Sequence, residues 1–477
     1  MPEQNLTAYD SCMSSSFVHS SSSVPATRGV SFEEARHTVE RHAAGVCPGD
    51  AETVDLLAGL GRVLAEGIVA DRDFPPFDRA TRDGYAVRAA DLAEVPARLE
   101  VVGEVKAGGW PEPGVCSVGL GQAVEIMTGA PLPAGADAVV MVEHTSVGQC
   151  SHPNVAKDAT LGWGTLTGRF VDIQRGVSVG ENFVPRGAEA RAGHVLQDRG
   201  RRLDHAAIAI AAAVGKSRVQ VFRKPRVAVL STGDEVVDVA ATPGPAQIRN
   251  SNSYSLAAQV QNAGGEPVRL AIAPDEPRRL RSRIEEAWDA EGLACDILLL
   301  TGGVSMGKYD LVEQVLGELK AEFHFTRVEI QPGRPTVFGS CSADAPARAD
   351  GEVAVGARAR APASHRKYFF GLPGNPVSTM VTFELFARPM IEALAGMTPQ
   401  PLIFLRARLK SEIRTKTGLT RFLPAVLSGE FENAVVELAR WHGSGDIAAL
   451  ARANCYVVIP PECDLVGAGE WVPLLVR

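Results

Sequence analysis

The sequence predicts a multidomain protein of α/β plus β class: an α/β domain on a parallel sheet, a β-rich module before it and a small β-barrel or sandwich after it. Three observations predict this. Over about 224–398, apolar strand-like runs alternate with helical stretches, the pattern of βαβ units around a parallel sheet. Over about 99–147, short alternating runs ("RLEVVGEVKAGG", "AVEIMTGA", "ADAVVMVEHT") are punctuated by Pro and Gly, as in a compact β module. Over 399–477, "FLRARLKSEIR", "AVVELAR", "CYVVIP" and "WVPLLVR" alternate without a helical period.

Taken in order, the Ser-rich residues 1–28 cannot bury enough apolar surface to fold and are expected to be disordered. They lack a basic start and an apolar core, so a secretory signal is not expected. A helix should begin at "VSFEEARHTVERH", where Ser31 and Glu34 have capping-box spacing. Pro75 and Pro76 force an extended entry into "DRDFPPFDRATRDGYAVRAAD". Residues 148–171 read as a long loop, and "VPRGAEARAGHVL" resumes strand-like alternation. "DHAAIAIAAAVG" is a helix stopped by Gly215. "RVAVLSTGDEVV", "CDILLLTGGVSMGKYDLVEQVLGEL" and "YFFGLPGNPVSTMVTFELFARPMI" each start as a buried strand and enter a turn. "SNSYSLAAQVQNAGG" and "PDEPRRLRSRIEEAWD" are helices. The Ala-, Arg- and Asp-rich stretch 341–366 reads as a mobile insertion.

Composition excludes several functions. The 477 residues suffice for about three or four domains, and 45% hydrophobic with 22% charged residues is an ordinary globular balance. A net charge of −8 argues against a general nucleic-acid binder, which needs a basic face. No apolar run approaches the roughly 18 residues of a membrane span. The eight cysteines are scattered with no CxxC pair, so reduced cytosolic thiols are expected and a structural zinc is not.

In a parallel α/β sheet, ligands bind beyond the carboxyl ends of the strands. Three such ends carry polar glycine turns: Ser231, Thr232, Gly233, Asp234 and Glu235; then Thr301, Gly302, Gly303 and Ser305; then Pro373, Gly374, Asn375 and Ser378. Glycine lets a ligand approach the backbone, and a following helix offers unpaired N–H groups, which suits phosphate or another oxyanion. Pro376 suits a first helical position and Asn375 a cap. Acids beside such turns (Asp234, Glu235, Asp310) repel an anion unless a divalent cation lies between, and Mg²⁺ bound by carboxylates plus phosphate oxygens is the usual solution. Asp83 in "TRDGYAV" adds an acid from another module. The Walker and dinucleotide fingerprints are missing, and the ten histidines show no ligand spacing.

From about residue 29 onward the chain resembles the molybdopterin molybdenumtransferase family, the MoeA and gephyrin E-domain proteins. The resemblance rests on "PPFDRATRDGYAVRAAD", "EIMTGAPLPAGADAVVMVE", "VAVLSTGDEV", "LLLTGGVSMGKYDLV", "PGRPTVFG" and "FGLPGNPVSTMVTFELFARP" in that order. It implies a discontinuous linker and dimerisation domain (29–70 and 173–223), a β-rich inserted domain (71–172), an α/β molybdopterin-binding domain (224–398) and a C-terminal β-barrel domain (399–477). It implies a cytoplasmic homodimer with its active site between subunits. The family activity is insertion of molybdate into adenylylated molybdopterin, with Mg²⁺ present and AMP released. A transient partner, a molybdopterin adenylyltransferase, is then needed. Carried over by position, Asp83, Thr128, Glu235, Asp275 and Asp310 match functional sites, Asp310 and Asp234 fall to the metal, and Ser378 and Ser444 to molybdate.

The chain departs from the family pattern in places. Gln331 stands where a lysine is common, Pro424 where an arginine is, and Arg79, Ala80, Thr81 and Arg82 replace an Asn-Ser-x-Met run. Arg327 and Arg334 are the candidates to supply the missing positive charge. Gln331 and Pro424 motivate one alternative, an enzyme of this scaffold using tungstate or a modified pterin, and the resemblance to gephyrin-type E domains, which also bind receptor peptides, brings a second, a non-enzymatic binding platform.

Overall fold

The computed structural model describes residues 29–111, 116–149, 169–289, 292–303, 311–341 and 366–476. They form two compact units: one of 29–48, 224–395 and 399–476, the other of 49–223 with 396–398.

The first unit holds a six-stranded sheet in the order Glu266–Arg269, Arg226–Ser231, Ile297–Thr301, Lys367–Leu372, Val337–Cys341, Glu322–Phe325. The first four strands are parallel, as the alternation with helices predicts. Val337–Cys341 runs antiparallel to both of its neighbours, a reversal at the edge of the expected parallel sheet. No crossover helix separates Phe325 from Val337, and a strand that returns without one must reverse. Every residue of Ile297–Thr301 is buried, because this central strand is covered on both faces.

Asn250 starts the helix Ser251–Asn262, its side chain accepting from Ser253 N. The helix Pro376–Thr382 runs through a π-turn, Phe383–Ala387, into Arg388–Leu394. The helix Phe32–Ala44 has the predicted capping box, with Ser31 and Glu34 each accepting from the other's backbone. It buries Phe32, Ala35, Val39 and Ala43 in the core of this unit, with Phe32 edge-on to Phe422 at 5.1 Å. Truncating Phe32 to alanine is expected to cost about 3–5 kcal/mol.

Five strands, Phe404–Leu409, Thr420–Ser428, Val435–Leu438, Cys455–Ile459 and Trp471–Val476, close on themselves, so the C-terminal region is a barrel. Ile330–Gln331 pairs with Thr420 and Arg421 at its edge. A short helix, Ile447–Arg452, interrupts the alternation expected there; Asp446 caps it by accepting from Ala449 N.

The second unit is built on a six-stranded sheet ordered Ala138–Met141, Gly84–Val87, Gln122–Ile126, Ala97–Val105, Arg169–Ile173, Thr145–Gln149. The loop expected at 148–171 is therefore strand at both ends, because Thr145–Gln149 pairs antiparallel with Arg169–Ile173. The remainder of that loop, and most of the insertion expected at 341–366, lie outside the described residues. The helix His205–Ala213 is capped by Asp204 and followed by Gly215 at φ 76°. Among the described residues no helix is long and apolar enough to cross a membrane. Burial pushes the Cys295, Cys341 and Cys455 thiols up to about 11, so they stay protonated and unreactive.

Candidate functional site

The three glycine turns meet at the carboxyl end of the parallel strands. Ser231 pairs with Thr301, and Thr301 with Leu372, so the three strands end at one level. The chain then leaves the sheet through Thr232, through Gly302 and Gly303, and through Pro373 and Gly374. Together these line a cavity of about 360 Å³.

Close approach of the turns explains the glycines. Gly302 has φ 90° and Gly303 φ 67°, a region that L side chains avoid. A Cβ at Gly302 would also lie 2.5 Å from the Thr232 carbonyl oxygen and 3.0 Å from its hydroxyl. A Cβ at Gly374 would contact Gly302 Cα at 3.5 Å, so the second and third turns back directly onto each other.

One side chain ties them. Asn252 Nδ2 donates to the Gly374 carbonyl at 2.7 Å and to Thr301 Oγ1 at 2.9 Å. Thr301 Oγ1 in turn donates to the Pro373 carbonyl at 3.1 Å. Ser231 Oγ donates to Asn250 Oδ1 at 2.9 Å, the oxygen that also caps the helix. At this cavity, two buried oxygens have no partner among the described residues: Thr232 Oγ1 and Asn252 Oδ1. Buried polar groups are nearly always satisfied, so orphans at a cavity mark a place for a ligand or water.

Of the residues expected at the site, Ser231, Thr232, Glu235, Gly302, Gly303, Pro373, Gly374 and Asn375 line this cavity. Gly233, at φ 133°, links Thr232 to the acids. Asn375 occupies the cap position of its helix, yet its side chain makes no capping bond; its carbonyl instead accepts from Thr379 Oγ1 at 3.0 Å. Asp234 Oδ1 accepts from Asp275 N at 3.2 Å. Burial first, then the Asp234 and Glu235 charges, push the Asp275 carboxyl above its ordinary value. Ser378 is buried in the helix that follows the third turn, and the Ser444 carbonyl accepts from the neighbouring Val377 N at 3.0 Å. Arg334 and Arg327 both face Glu329, at 2.9 Å and 3.7 Å, so they share one carboxylate that offsets part of their charge. Gln331 pairs with Arg421, which is buried without a carboxylate partner among the described residues and is held below its ordinary pKa by desolvation. Ser305 and Asp310 lie outside the described residues.

Asp83 and Thr128 meet in the second unit. The register Gly84 to Ile126 sets the residue before one strand beside the residues after the other. Asp83 Oδ1 accepts from Thr128 N at 2.6 Å. That backbone bond, then the Thr128 hydroxyl, hold the Asp83 carboxyl below its ordinary value. Arg79 ion-pairs with Glu189 at 2.8 Å.

Comparison with known proteins decides the family. Residues 30–215 match the MoeA N-terminal region (domain I and II), 228–393 the "Probable molybdopterin binding domain", and 406–476 the MoeA C-terminal region (domain IV). A molybdopterin molybdenumtransferase of Nostoc sp. is 34% identical over 437 residues, which is 89% of this chain and 88% of that relative. This chain belongs to the molybdopterin molybdenumtransferase family. The Bacillus subtilis molybdopterin molybdenumtransferase is 33% identical over 90% of each chain. The fold agrees with that of a Pyrococcus horikosii molybdopterin biosynthesis MoeA protein, at TM-score 0.64 and 32% identity over 94% of this chain and 99% of that one.

Within this family member, sequence reasoning missed Asn250, Asn252 and Arg249, all of which line the cavity. The stretch "RNSNSYS" carries the signal, an asparagine-capped helix start, but the same signal marks any ordinary helix.

Proposed function

We infer that this chain is a molybdopterin molybdenumtransferase: it binds adenylylated molybdopterin in the three-turn cavity and inserts molybdate, with release of AMP. The observation that carries this reading is the convergence of three glycine turns on one polar cavity beside an acidic group. Neutral N–H and hydroxyl donors suit phosphate oxygens, and the turns exclude side chains that would fill their place.

The acids fit Mg²⁺. Desolvation first, then repulsion from Asp234 and Glu235, raises Asp275, and a cation would offset the repulsion. Among the described residues no three His, Cys, Asp or Glu side chains form a complete metal cage. A cation here would be held by one or two carboxylates and completed by substrate phosphates. Asp234, with Asp310, would hold it. Bound there, Mg²⁺ supplies neutralisation of the phosphoanhydride charge. The chain's own part is to seat the phosphate on the turns, to orient it through Asn252 and Thr232, and to keep the acids in reach of it. Asp83 stays ionised on its own bonds to Thr128.

A cytoplasmic homodimer with a transient molybdopterin adenylyltransferase partner belongs to the same proposal. Sedimentation of the purified chain tests the dimer. The function is tested by incubating the chain with adenylylated molybdopterin, molybdate and Mg²⁺, beside Asp310→Ala. AMP release and active cofactor from the parent, with little from the variant, are expected. Tight pterin binding without AMP release would overturn the reading. Capture of Arg327 and Arg334 by Glu329 favours a second reading, altered oxyanion use, for which tungstate against molybdate competition is the test.

A further inference from the structure

The cavity is almost neutral on its lining. Among the described residues that line it, Arg249 is the one cation and Glu235 the one acid. A ligand carrying a single phosphate can be held by N–H and hydroxyl groups alone. A phosphoanhydride brings a second anionic phosphate into a cavity whose lining already carries the Glu235 carboxylate. Beyond what a cation near Asp234 would neutralise, the non-bridging oxygens of that second phosphate gain from a directional cationic donor on the protein.

Arg249 is built for this. Its backbone is fixed on both sides: Ile248 N donates to Glu235 O at 2.8 Å and Asn250 N to Val237 O at 2.9 Å. Residues Val236–Val237 and Ile248–Arg249 pair in register, so the side chain leaves from a set point. Its Nε donates to the Ala241 carbonyl at 3.1 Å, which orients the guanidinium. Among the described residues it makes no ion pair, unlike Arg327 and Arg334, and its terminal nitrogens keep their donors. A second observation points to a ligand in the same cavity: Thr232 is 2% exposed, and among the described residues its hydroxyl has no partner.

Resting on the reading above, we propose that Arg249 is a specificity-determining residue that binds the nucleotide-side phosphate of adenylylated molybdopterin, so that the cavity prefers the adenylylated pterin to the bare pterin phosphate. The guanidinium donates two N–H groups to non-bridging oxygens. It leaves the pterin-side phosphate to the glycine turns. The simpler account is an exposed arginine that is merely solvated or steers anions generally.

The test is titration calorimetry of the full-length chain and three variants, Arg249→Gln, Arg249→Lys and Thr232→Val. The ligands are adenylylated molybdopterin, unadenylylated molybdopterin and AMP. Arg249→Gln should weaken the adenylylated ligand and AMP by about tenfold and the unadenylylated ligand less than about twofold, the range for losing one charge-assisted contact at an exposed site. Arg249→Lys should fall between, because it keeps charge and loses the fork. Thr232→Val should weaken both pterins. Equal loss on both pterins in Arg249→Gln would overturn the specificity role in favour of general steering. No loss in Arg249→Gln, with both pterins weakened in Thr232→Val, would overturn the role of Arg249 and leave the cavity reading standing. No effect of Thr232→Val on any ligand would overturn the cavity reading, and this inference with it.

Discussion

Asp275 and Asp83 are both loop carboxylates, and the protein treats their charges in opposite ways. Asp83 is satisfied by its own unit: the Thr128 N–H at 2.6 Å and the Thr128 hydroxyl lower its pKa. Asp275 is opposed by its own unit: burial, Asp234 and Glu235 raise its pKa. A carboxylate that is stabilised as an anion is ready to act as one. A carboxylate whose charge is resisted waits for a cation, and it sits beside a cavity suited to phosphate. Under the proposed function, this contrast puts the Mg²⁺ proposal in the first unit and a fixed anion in the second.

The largest expected effect breaks the metal side of that contrast. Asp275→Asn should reduce Mg²⁺-dependent AMP release by about 10²–10³-fold, on the scale of losing one preorganised electrostatic group. Asp83→Asn should also slow AMP release, but with the Mg²⁺ dependence unchanged; a shifted Mg²⁺ midpoint in this variant would erase the distinction.

Next comes the coupling within the acid group. Because Asp275 is raised, it takes up a proton at higher pH than an ordinary carboxylate, and Mg²⁺ affinity should fall as pH drops through that range. Asp234→Asn removes one repelling charge, so the acid-side midpoint of Mg²⁺ binding should move to lower pH even as affinity at pH 8 weakens. Mg²⁺ titrations across pH 4–8 read this directly, and an unmoved midpoint would uncouple the two residues. A smaller shift is expected on the other side of the comparison. Thr128→Ala keeps the backbone N–H that dominates at Asp83, so the Asp83 carboxyl resonance in an NMR titration should still move below the ordinary range.

The smallest effect on activity is expected at His324, whose charge is resisted like that of Asp275 but which does not line the cavity. Its ring stacks on His42 at 4.0 Å, and burial, then His42, lower its pKa to about 4. A histidine lowered on folding binds its proton better when unfolded. Its stabilising contribution is therefore full above about pH 6.5 and lost as pH falls toward 4, at most about 3 kcal/mol. His324→Gln should flatten the denaturation midpoint over that window and leave AMP release near the parent value. A slope as steep as the parent's would place the effect elsewhere.

Much of this was legible in the chain. The three turns stand out because glycine and hydroxyl residues follow apolar runs, a pattern that burial alone does not demand. The capping box at Ser31 and Glu34 is local, so sequence spacing suffices. What was not legible is long-range. Asn252 reads as a helix start, and only the fold brings it to Gly374 and Thr301. Arg327 and Arg334 read as free charge, and Glu329 between them reads as nothing until it is seen facing both. The antiparallel strand Val337–Cys341 looks like any buried strand, since direction leaves no trace in an apolar run. The helix Ile447–Arg452 is too short for a period to show.

The central claim is that the close contact of the turns makes the ligand cradle. Gly302→Ala tests it against Gly418→Ala. Both glycines have positive φ, 90° and 101°, but a Cβ at Gly302 meets Thr232 whereas one at Gly418 meets nothing within 4 Å. Both variants should lose about 1–3 kcal/mol of stability from backbone strain. Calorimetric titration with adenylylated molybdopterin should then show Gly302→Ala binding at least about 50-fold more weakly, with Gly418→Ala near the parent, the difference expected when a cradle rather than a scaffold is disturbed. A folded Gly302→Ala that binds adenylylated molybdopterin as tightly as the parent would contradict the account.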